Sequence, residues 1–471
     1  MAQLVGREKE SKILTSLVNI DNSEFVVIYG RRRIGKTFLI REYFKNTFDF
    51  QLTGLANSTT TQQLSNFHAA FQKHFKKTIP KPKSWFDAFQ HLIVMLEKSK
   101  KHKKIVFLDE LPWMDTPKSD FISALEHFWN SWASARKDIF LIVCGSATSW
   151  ITNKLINNKG GLHNRLTSKI KLSAFTLNEC EQYLRKKNIL WNRHQIIECY
   201  MIMGGIPYYL SLLKPELSLA QNIDLLFFSQ NGMLRNEFDN LYASLFRHSE
   251  NHVKIIETLS QKTEGFTRKE LIAYSKIPNG GGTTKKIEEL ESSGFIKRYT
   301  PIGKKKRDSQ YQLTDFYSMF YFHFINGYKI NDENYWMNSI DSPNHRAWSG
   351  FAFEQVCMAH INEIKVKLGI SGIKTNSASW RSKDTETNVQ IDLLIDRNDQ
   401  VISLCEMKYS INEFTINKSY AENLRNKIGT FKSETKTRKA VFLTMITTYG
   451  IKQNEYSMGL VQNELTMNDL F

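Results

Sequence analysis

No apolar run in this 471-residue chain approaches the eighteen or so residues needed to cross a bilayer, so membrane-spanning helices are not expected. The first residues, Met1-Ala2-Gln3-Leu4-Val5-Gly6-Arg7-Glu8, lack the basic-then-apolar pattern of an export signal. Cysteine is scarce: Cys144, Cys180, Cys199, Cys357 and Cys405 are odd in number, scattered, and never in C-x-x-C spacing. That pattern argues against a structural zinc and for a reducing compartment. Acidic residues are also short, 47 Asp+Glu against 64 Lys+Arg, leaving a net charge of +17. The expectation is a soluble, cytoplasmic protein with no membrane role and a polyanionic partner, nucleic acid ahead of anionic lipid. An AT-rich genome is the competing source of lysine, since Lys, Asn and Ile are all abundant.

What is present begins with length. The chain is too long for one ordinary domain, and two to four are expected. With 41% hydrophobic and 24% charged residues, each can bury a core. The most specific stretch is Gly30-Arg31-Arg32-Arg33-Ile34-Gly35-Lys36-Thr37, the G-x-x-x-x-G-K-[ST] pattern of a phosphate-binding loop. It follows an apolar, β-branched run, 24–29, and precedes a helical pattern that starts with Phe38. Strand, loop, then helix is the context the chemistry needs. Gly30 and Gly35 let backbone N–H groups turn toward a phosphate, and the helix N-terminus adds positive potential. Lys36 neutralises the β- and γ-phosphates, and the Thr37 hydroxyl holds Mg²⁺. The expected ligand is ATP, contacted by residues 30–38.

Other parts of that site follow along the chain. Gly6 and Arg7 sit in a turn ahead of a helix, either a lip for the base or simply a helix start. Ile105-Val106-Phe107-Leu108-Asp109-Glu110 reads as a buried strand that delivers Asp109 to the Mg²⁺ and Glu110 to the attacking water, which points to hydrolysis. A third buried strand, 139–144, ends at Gly145-Ser146, where Ser146 can sense the γ-phosphate or open a turn. Arg165 can serve as an arginine finger, in its own or a neighbouring subunit of a homo-oligomer, or as a plain surface arginine. Between the strands, helices are expected at 64–75, 85–98 and 121–135. Thr176 with Glu179 reads as a capping box, and Gly204-Gly205-Ile206-Pro207 as a helix stop and restart.

Together, Val5-Gly6-Arg7-Glu8, the loop 30–37, Phe107-Leu108-Asp109-Glu110, Gly145-Ser146 and Gly204-Gly205-Ile206-Pro207 resemble the archaeal-type ATPases, on the AAA+-like, signal-transduction (STAND) side of the P-loop ATPases. The resemblance implies an α/β fold: a five-stranded αβα ATPase core over 1–172 and a helical lid over 173–248. It also implies that Gly6, Arg7 and Pro207 lie at the nucleotide.

A further domain is expected over 249–330. It has helical spacing at Val253, Ile256 and Leu259, a capping box at Thr267 and Glu270, and a third helix carrying Lys285 and Lys286. Two alternating strands flank a basic tip, 303–307. Three short helices and such a hairpin describe a winged helix, able to enter a groove of DNA or to dock a protein. The aromatic segment 316–322 reads as a packing helix, and 331–344 as a linker.

In the last region, 331–471, a helix from about residue 350 carries Glu354. A strand then holds Asp392, and after a turn its partner strand holds Glu406 and Lys408. Period-two geometry places Glu406 and Lys408 on one face beside Asp392. Carboxylates there can hold Mg²⁺ with water, Glu354 completing the outer ligands, while Lys408 orients the water against a phosphodiester. This Asp-turn-Glu-x-Lys pattern resembles the PD-(D/E)xK restriction-endonuclease-like fold, with Ile391 in place of the proline. The expectation is an ATP-regulated, Mg²⁺-dependent DNA nuclease. Its rival is an ATP-dependent switch that binds DNA or a protein without cutting.

Overall fold

A strand buried on both faces must lie inside a sheet covered by helices, and the run 24–29 is one: Glu24–Tyr29 forms β1, of which five residues are buried. The computed structural model describes residues 4–246, 248–302, 308–329, 332–382 and 389–471. The basic tip expected at 303–307 lies outside them. The chain separates into two compact units, Met1–Ala174 and Phe175–Phe471.

In the first unit α1 (Glu8–Val18) precedes β1. After it come α2 (Lys36–Tyr43), β2 (Phe50–Thr53), α3 (Thr60–Phe75), α4 (Trp85–Glu97), β3 (Lys104–Asp109), α5 (Phe121–Ser131), β4 (Ile139–Gly145), α6 (Thr148–Ile151) and β5 (Ser168–Lys171). All strand pairs are parallel, in the order β2-β3-β4-β1-β5. The fold class is therefore α/β, as the resemblance implies. One consequence is chemical: β4 is inserted between β1, which feeds the phosphate loop, and β3, which carries Asp109. The core is strongly aromatic, with Trp85 packed edge-on to Phe121 and Phe50 tilted against Phe67. The helix expected from residue 64 begins at Thr60. Thr59 caps it and Gln62 closes the capping box, so the polar run 58–63 is its first turn.

The second unit opens with α7 (Leu177–Lys186), α8 (Arg193–Met203), α9 (Pro207–Ser211), α10 (Leu219–Ile223) and α11 (Glu237–Leu245). The capping box of Thr176 and Glu179 is present, worth about 1 kcal/mol to α7. Next come α12 (Glu250–Ser260), β6 (Phe266–Thr267), α13 (Arg268–Ser275), α14 (Gly281–Ser292), β7 (Ile296–Tyr299) and β8 (Gln310–Leu313). These three strands form an antiparallel sheet, β6-β8-β7. The aromatic segment supplies α15 (Phe316–Phe320), whose residues are all buried.

The remainder contains α16 (Tyr335–Ser339), α17 (Pro343–Ala359), α18 (Ile361–Lys367), β9 (Thr375–Arg381), β10 (Gln390–Arg397), β11 (Val401–Lys408), β12 (Phe414–Thr415), α19 (Lys418–Thr435), β13 (Ala440–Thr447), β14 (Ile451–Lys452) and β15 (Asn463–Thr466). Its five-stranded sheet runs β15-β13-β11-β10-β9. The β9–β10 and β10–β11 pairs are antiparallel and the rest parallel.

The linker expected over 331–344 is not a free connector. Trp336 is fully buried, with ring centroids 5.1 Å from Phe324 and 5.2 Å from Phe320. The backbone N–H groups of Trp336 and Met337 donate to the Asp224 carboxylate at 2.7 and 3.1 Å, and Ser342 caps α17 before residue 350. Asparagine and aspartate made the stretch look like a loop, while one aromatic anchor decides its packing. Trp336→Ala should therefore cost about 3–5 kcal/mol of stability. A denaturant midpoint indistinguishable from the parent protein would show that the segment is a passive tether after all.

Candidate functional site

The phosphate loop owes its path to two glycines. Gly30 has φ 148°, and a Cβ there would lie 2.4 Å from the Leu172 carbonyl oxygen, so no side chain fits. Gly35, at φ 87°, precedes α2 in a left-handed conformation that glycine adopts freely. Lys36 follows at the helix start. Its ammonium is buried and donates to the carbonyl oxygens of Gly30 and Arg31, both at 2.9 Å. Burial lowers its pKa, opposed by the negative charges of Glu110 and Asp109. A buried cation satisfied only by two carbonyls is poised for an anion at the loop.

The inserted strand brings three elements onto one carboxylate. The Thr37 hydroxyl donates to both Asp109 oxygens, at 3.0 and 3.1 Å, and the Cys144 thiol donates to Oδ1 at 2.6 Å. The Glu110 N–H donates to Oδ1 as well, at 3.0 Å. Burial, then the Asp109 charge, pushes the Cys144 thiol well up, so it stays protonated and donates. A threonine hydroxyl touching a buried aspartate is an oxygen pair suited to Mg²⁺, which is commonly held by one or two carboxylates and phosphate. The residues fit that ion.

Glu110 takes a left-handed backbone, φ 49°, directly after β3. Its carboxylate accepts from the Ser146 hydroxyl at 2.9 Å and from the Ser146 N–H at 3.3 Å. Ser146, expected as a phosphate sensor, is thus the partner that orients Glu110. Gly6 and Arg7 both have positive φ, 64° and 65°. The Arg7 guanidinium is buried and donates to the Ile34 and Ser173 carbonyl oxygens, at 3.1 and 2.8 Å. It braces the loop instead of pointing outward. Arg165 is exposed in the turn ahead of β5, and Pro207 starts α9 in the second unit. Arg31, Arg32, Arg33 and Phe38 occupy the loop and the first turn of α2, with Phe38 exposed.

The second constellation lies on β10, β11 and α17. Adjacent strands pair Leu393 with Cys405, and continuing that register sets Asp392 across from Glu406. Glu406 is buried, and α19 takes both its oxygens: Tyr420 donates to Oε1 at 2.7 Å and Lys427 to Oε2 at 2.9 Å. Lys408 adds an ion pair at 3.2 Å. Although burial works against ionisation, Lys408 and Lys427 hold Glu406 below the usual range. Glu354 is pushed up to about 8, first by burial and then by the Asp392 charge. Among the described residues, no three His, Cys, Asp or Glu side chains gather closely enough to cage an ion. Glu354, Asp392 and Glu406 lie near enough for their charges to act on Glu354, while Glu406 itself is held by Lys408, Lys427 and Tyr420.

Three contributors escaped the sequence reading. Cys144 precedes the Gly145-Ser146 pair and could have been placed next to Asp109 once strand order was known. Tyr420 and Lys427 are seven residues apart, two turns of one helix face, and that spacing was their signal.

Because Arg7 shapes the loop without reaching the reacting atoms, Arg7→Ala should raise the KM for nucleotide several-fold and change kcat little. Arg7→Lys should rescue it in part, since both carbonyls accept from the single Nη2, a role one ammonium can imitate. Steady-state kinetics check this, and an unchanged KM would remove Arg7 from the site.

Residues 4–213 match a family described as an ATPase domain predominantly from Archaea. An uncharacterised protein of Methanocaldococcus jannaschii is 26% identical over 445 residues, spanning 89% of this chain and 91% of its own. An uncharacterised ATP-binding protein of the same organism is 35% identical over 46 residues, 10% of this chain and 78% of its own. Among solved structures, a Walker-type ATPase of Pyrococcus abyssi aligns over 68% of this chain and 96% of its own, with 16% identity and a TM-score of 0.48. The ORC2 protein of Aeropyrum pernix aligns over 67% and 91%, with 16% identity and a TM-score of 0.42. Among the described residues, no helix is long and apolar enough to cross a membrane. The segment that carries the phosphate loop is thus similar, in sequence, to an ATPase domain predominantly from Archaea.

Proposed function

We propose that this protein binds and hydrolyses ATP at the phosphate loop and couples that cycle to nucleic acid in its second unit. The observation that carries the first half is the Thr37–Asp109 contact, set beside a buried Lys36 and an oriented Glu110. Lys36 meets the β- and γ-phosphates once its carbonyl partners release it. Thr37 and Asp109 hold Mg²⁺, which neutralises charge as the terminal phosphoryl group leaves. Glu110 accepts the proton of the attacking water, and Ser146 fixes the direction of its carboxylate. Arg165 is proposed as the finger that meets the γ-phosphate, in trans if subunits assemble.

For the second half, we read α12–α14 with β6–β8 as a winged helix, with Lys285 and Lys286 on the helix offered to DNA. The region 331–471 we read as a restriction-endonuclease-like domain. Asp392 and Glu354 would supply metal-binding carboxylates there, and Lys408 would position water. The +17 charge supports a polyanionic partner. A specific observation favours the rival: Lys427 and Tyr420 occupy Glu406, which suits a domain that binds without cutting.

Lys36→Ala should abolish nucleotide binding, whereas Glu110→Gln should keep it and lose at least about 100-fold in turnover. Equal hydrolysis by Glu110→Gln would assign the base elsewhere. Asp392→Ala should lose DNA cleavage in Mg²⁺ or Mn²⁺ with ATPase retained. If the parent protein cuts no linear, plasmid or branched DNA, with or without ATP, the switch reading stands.

A further inference from the structure

The second unit contains a cavity of about 490 Å³ whose walls come from two different layers. One wall is the three-stranded sheet with the turn before it, contributing Lys262, Lys297 and Tyr299. The other is α17 and the β9–β10 edge, contributing Glu354, Arg381 and Asp392. The walls are bridged where the Arg381 guanidinium donates to Glu264 at 3.0 Å, and again where Tyr299 hydrogen-bonds Ser379. The Tyr299 hydroxyl also lies within hydrogen-bond reach of the Glu264 carbonyl oxygen and the Gln310 side chain. Glu354 and Asp392 face this space, as do Glu264 and Glu434, and Asp392 accepts from the Gln390 side-chain amide at 2.6 Å, while Glu406 and Lys408 do not line it.

The lining mixes both signs of charge with aromatic side chains. Lys262 and Lys297 offer cations to a backbone, Arg381 is paired with Glu264, and Tyr299 with Phe351 supplies aromatic side chains for bases, beside the carboxylates of Glu354, Asp392 and Glu434. A space of this volume takes a ligand of one or two nucleotides, on the scale of ordinary small-molecule pockets, and is too small to enclose a duplex. Glu354 and Asp392 would repel phosphate unless a divalent cation lies between them, so binding should depend on that cation.

We propose that this cavity is a binding site for a single nucleic-acid strand, and that the three-stranded sheet restricts what reaches Asp392 to unpaired strands. The proposal rests on the nucleic-acid reading of the second unit. It does not require that the strand be cut.

The test is fluorescence anisotropy of the full chain with a labelled 12-mer offered as single-stranded DNA, the same sequence in RNA, a blunt duplex, and a duplex with one unpaired tail. Ca²⁺ or EDTA is present, so that cleavage plays no part. Single strand and tailed duplex should bind at least tenfold more tightly than blunt duplex in Ca²⁺, and the DNA and RNA arms report which backbone is preferred. Lys297 is exposed on β7, so Lys297→Glu costs no packing and should weaken strand binding several-fold while flattening its salt dependence. Asp392→Ala should erase the Ca²⁺-dependent part, and Glu264→Gln, which removes the Arg381 ion pair, should raise duplex affinity. Equal binding of blunt duplex, or no effect of Lys297→Glu, overturns the proposal. Strand binding with no cleavage in Mg²⁺ or Mn²⁺ upholds the cavity and removes the nuclease. Cleavage of blunt duplex as readily as of single strand keeps the nuclease and removes the cavity's role.

Discussion

The Asp109 carboxylate is where the sheet order becomes chemistry. A buried carboxylate without partners costs several kcal/mol, so the fold must bring donors to it. It brings three, from α2, from the turn after β3, and from β4: the Thr37 hydroxyl, the Glu110 N–H and the Cys144 thiol. Only the insertion of β4 between β1 and β3 lets the last of these reach. The same insertion ends β4 at Gly145, where a Cβ would lie 2.6 Å from the Pro112 ring, and so sets Ser146 against Glu110. The placement of the loop 30–37, of Asp109 and of the Glu110–Ser146 pair therefore follows from one strand order.

The two acidic sites solve the same electrostatic problem in opposite ways. Asp109 is surrounded by donors: the Thr37 hydroxyl, the Glu110 N–H and the Cys144 thiol. Glu406 is compensated more strongly still, by two lysines and a tyrosine, and is buried for it. Glu354 feels the same two lysines, but burial and then the Asp392 charge outweigh them and favour its protonated form. A pair of acids of which one is driven to hold a proton is a pair that a divalent cation can relieve. That contrast, more than the motif, separates the Glu354–Asp392 side from the Glu406 side.

Much of the first unit was legible in the sequence because its signals are local. A loop pattern lies between a strand and a helix, an apolar run ends in Asp-Glu, and serine or threonine caps sit ahead of Glu or Gln. Such signals survive without knowledge of neighbours. The bracing role of Arg7 was not legible, since its acceptors Ile34 and Ser173 are 27 and 166 residues away. The same holds for the segment around Trp336, whose polar surface hid a packed indole that only Phe320, Phe324 and Trp348 explain. In the last region the strands holding Asp392, Glu406 and Lys408 were plain from alternation. That α19 would cover Glu406 was not, because helix docking is decided by which face meets the sheet.

The charge balance also reads differently once positions are known. A net +17 says only that cations are in excess, and an excess spread evenly would merely keep the chain soluble. Some of the lysines are committed inside the fold. Lys36 binds loop carbonyls, Lys103 binds three backbone oxygens, and Lys427 and Lys439 pair with Glu406 and Asp396. Lys262, which also pairs with Glu270, and Lys297 line a cavity that holds aromatic side chains and four acids. Cations beside carboxylates that they do not neutralise by contact make a field with both signs across a short distance. A phosphate chain bridged to the acids by a metal ion would satisfy both signs at once, which is the arrangement proposed for this cavity.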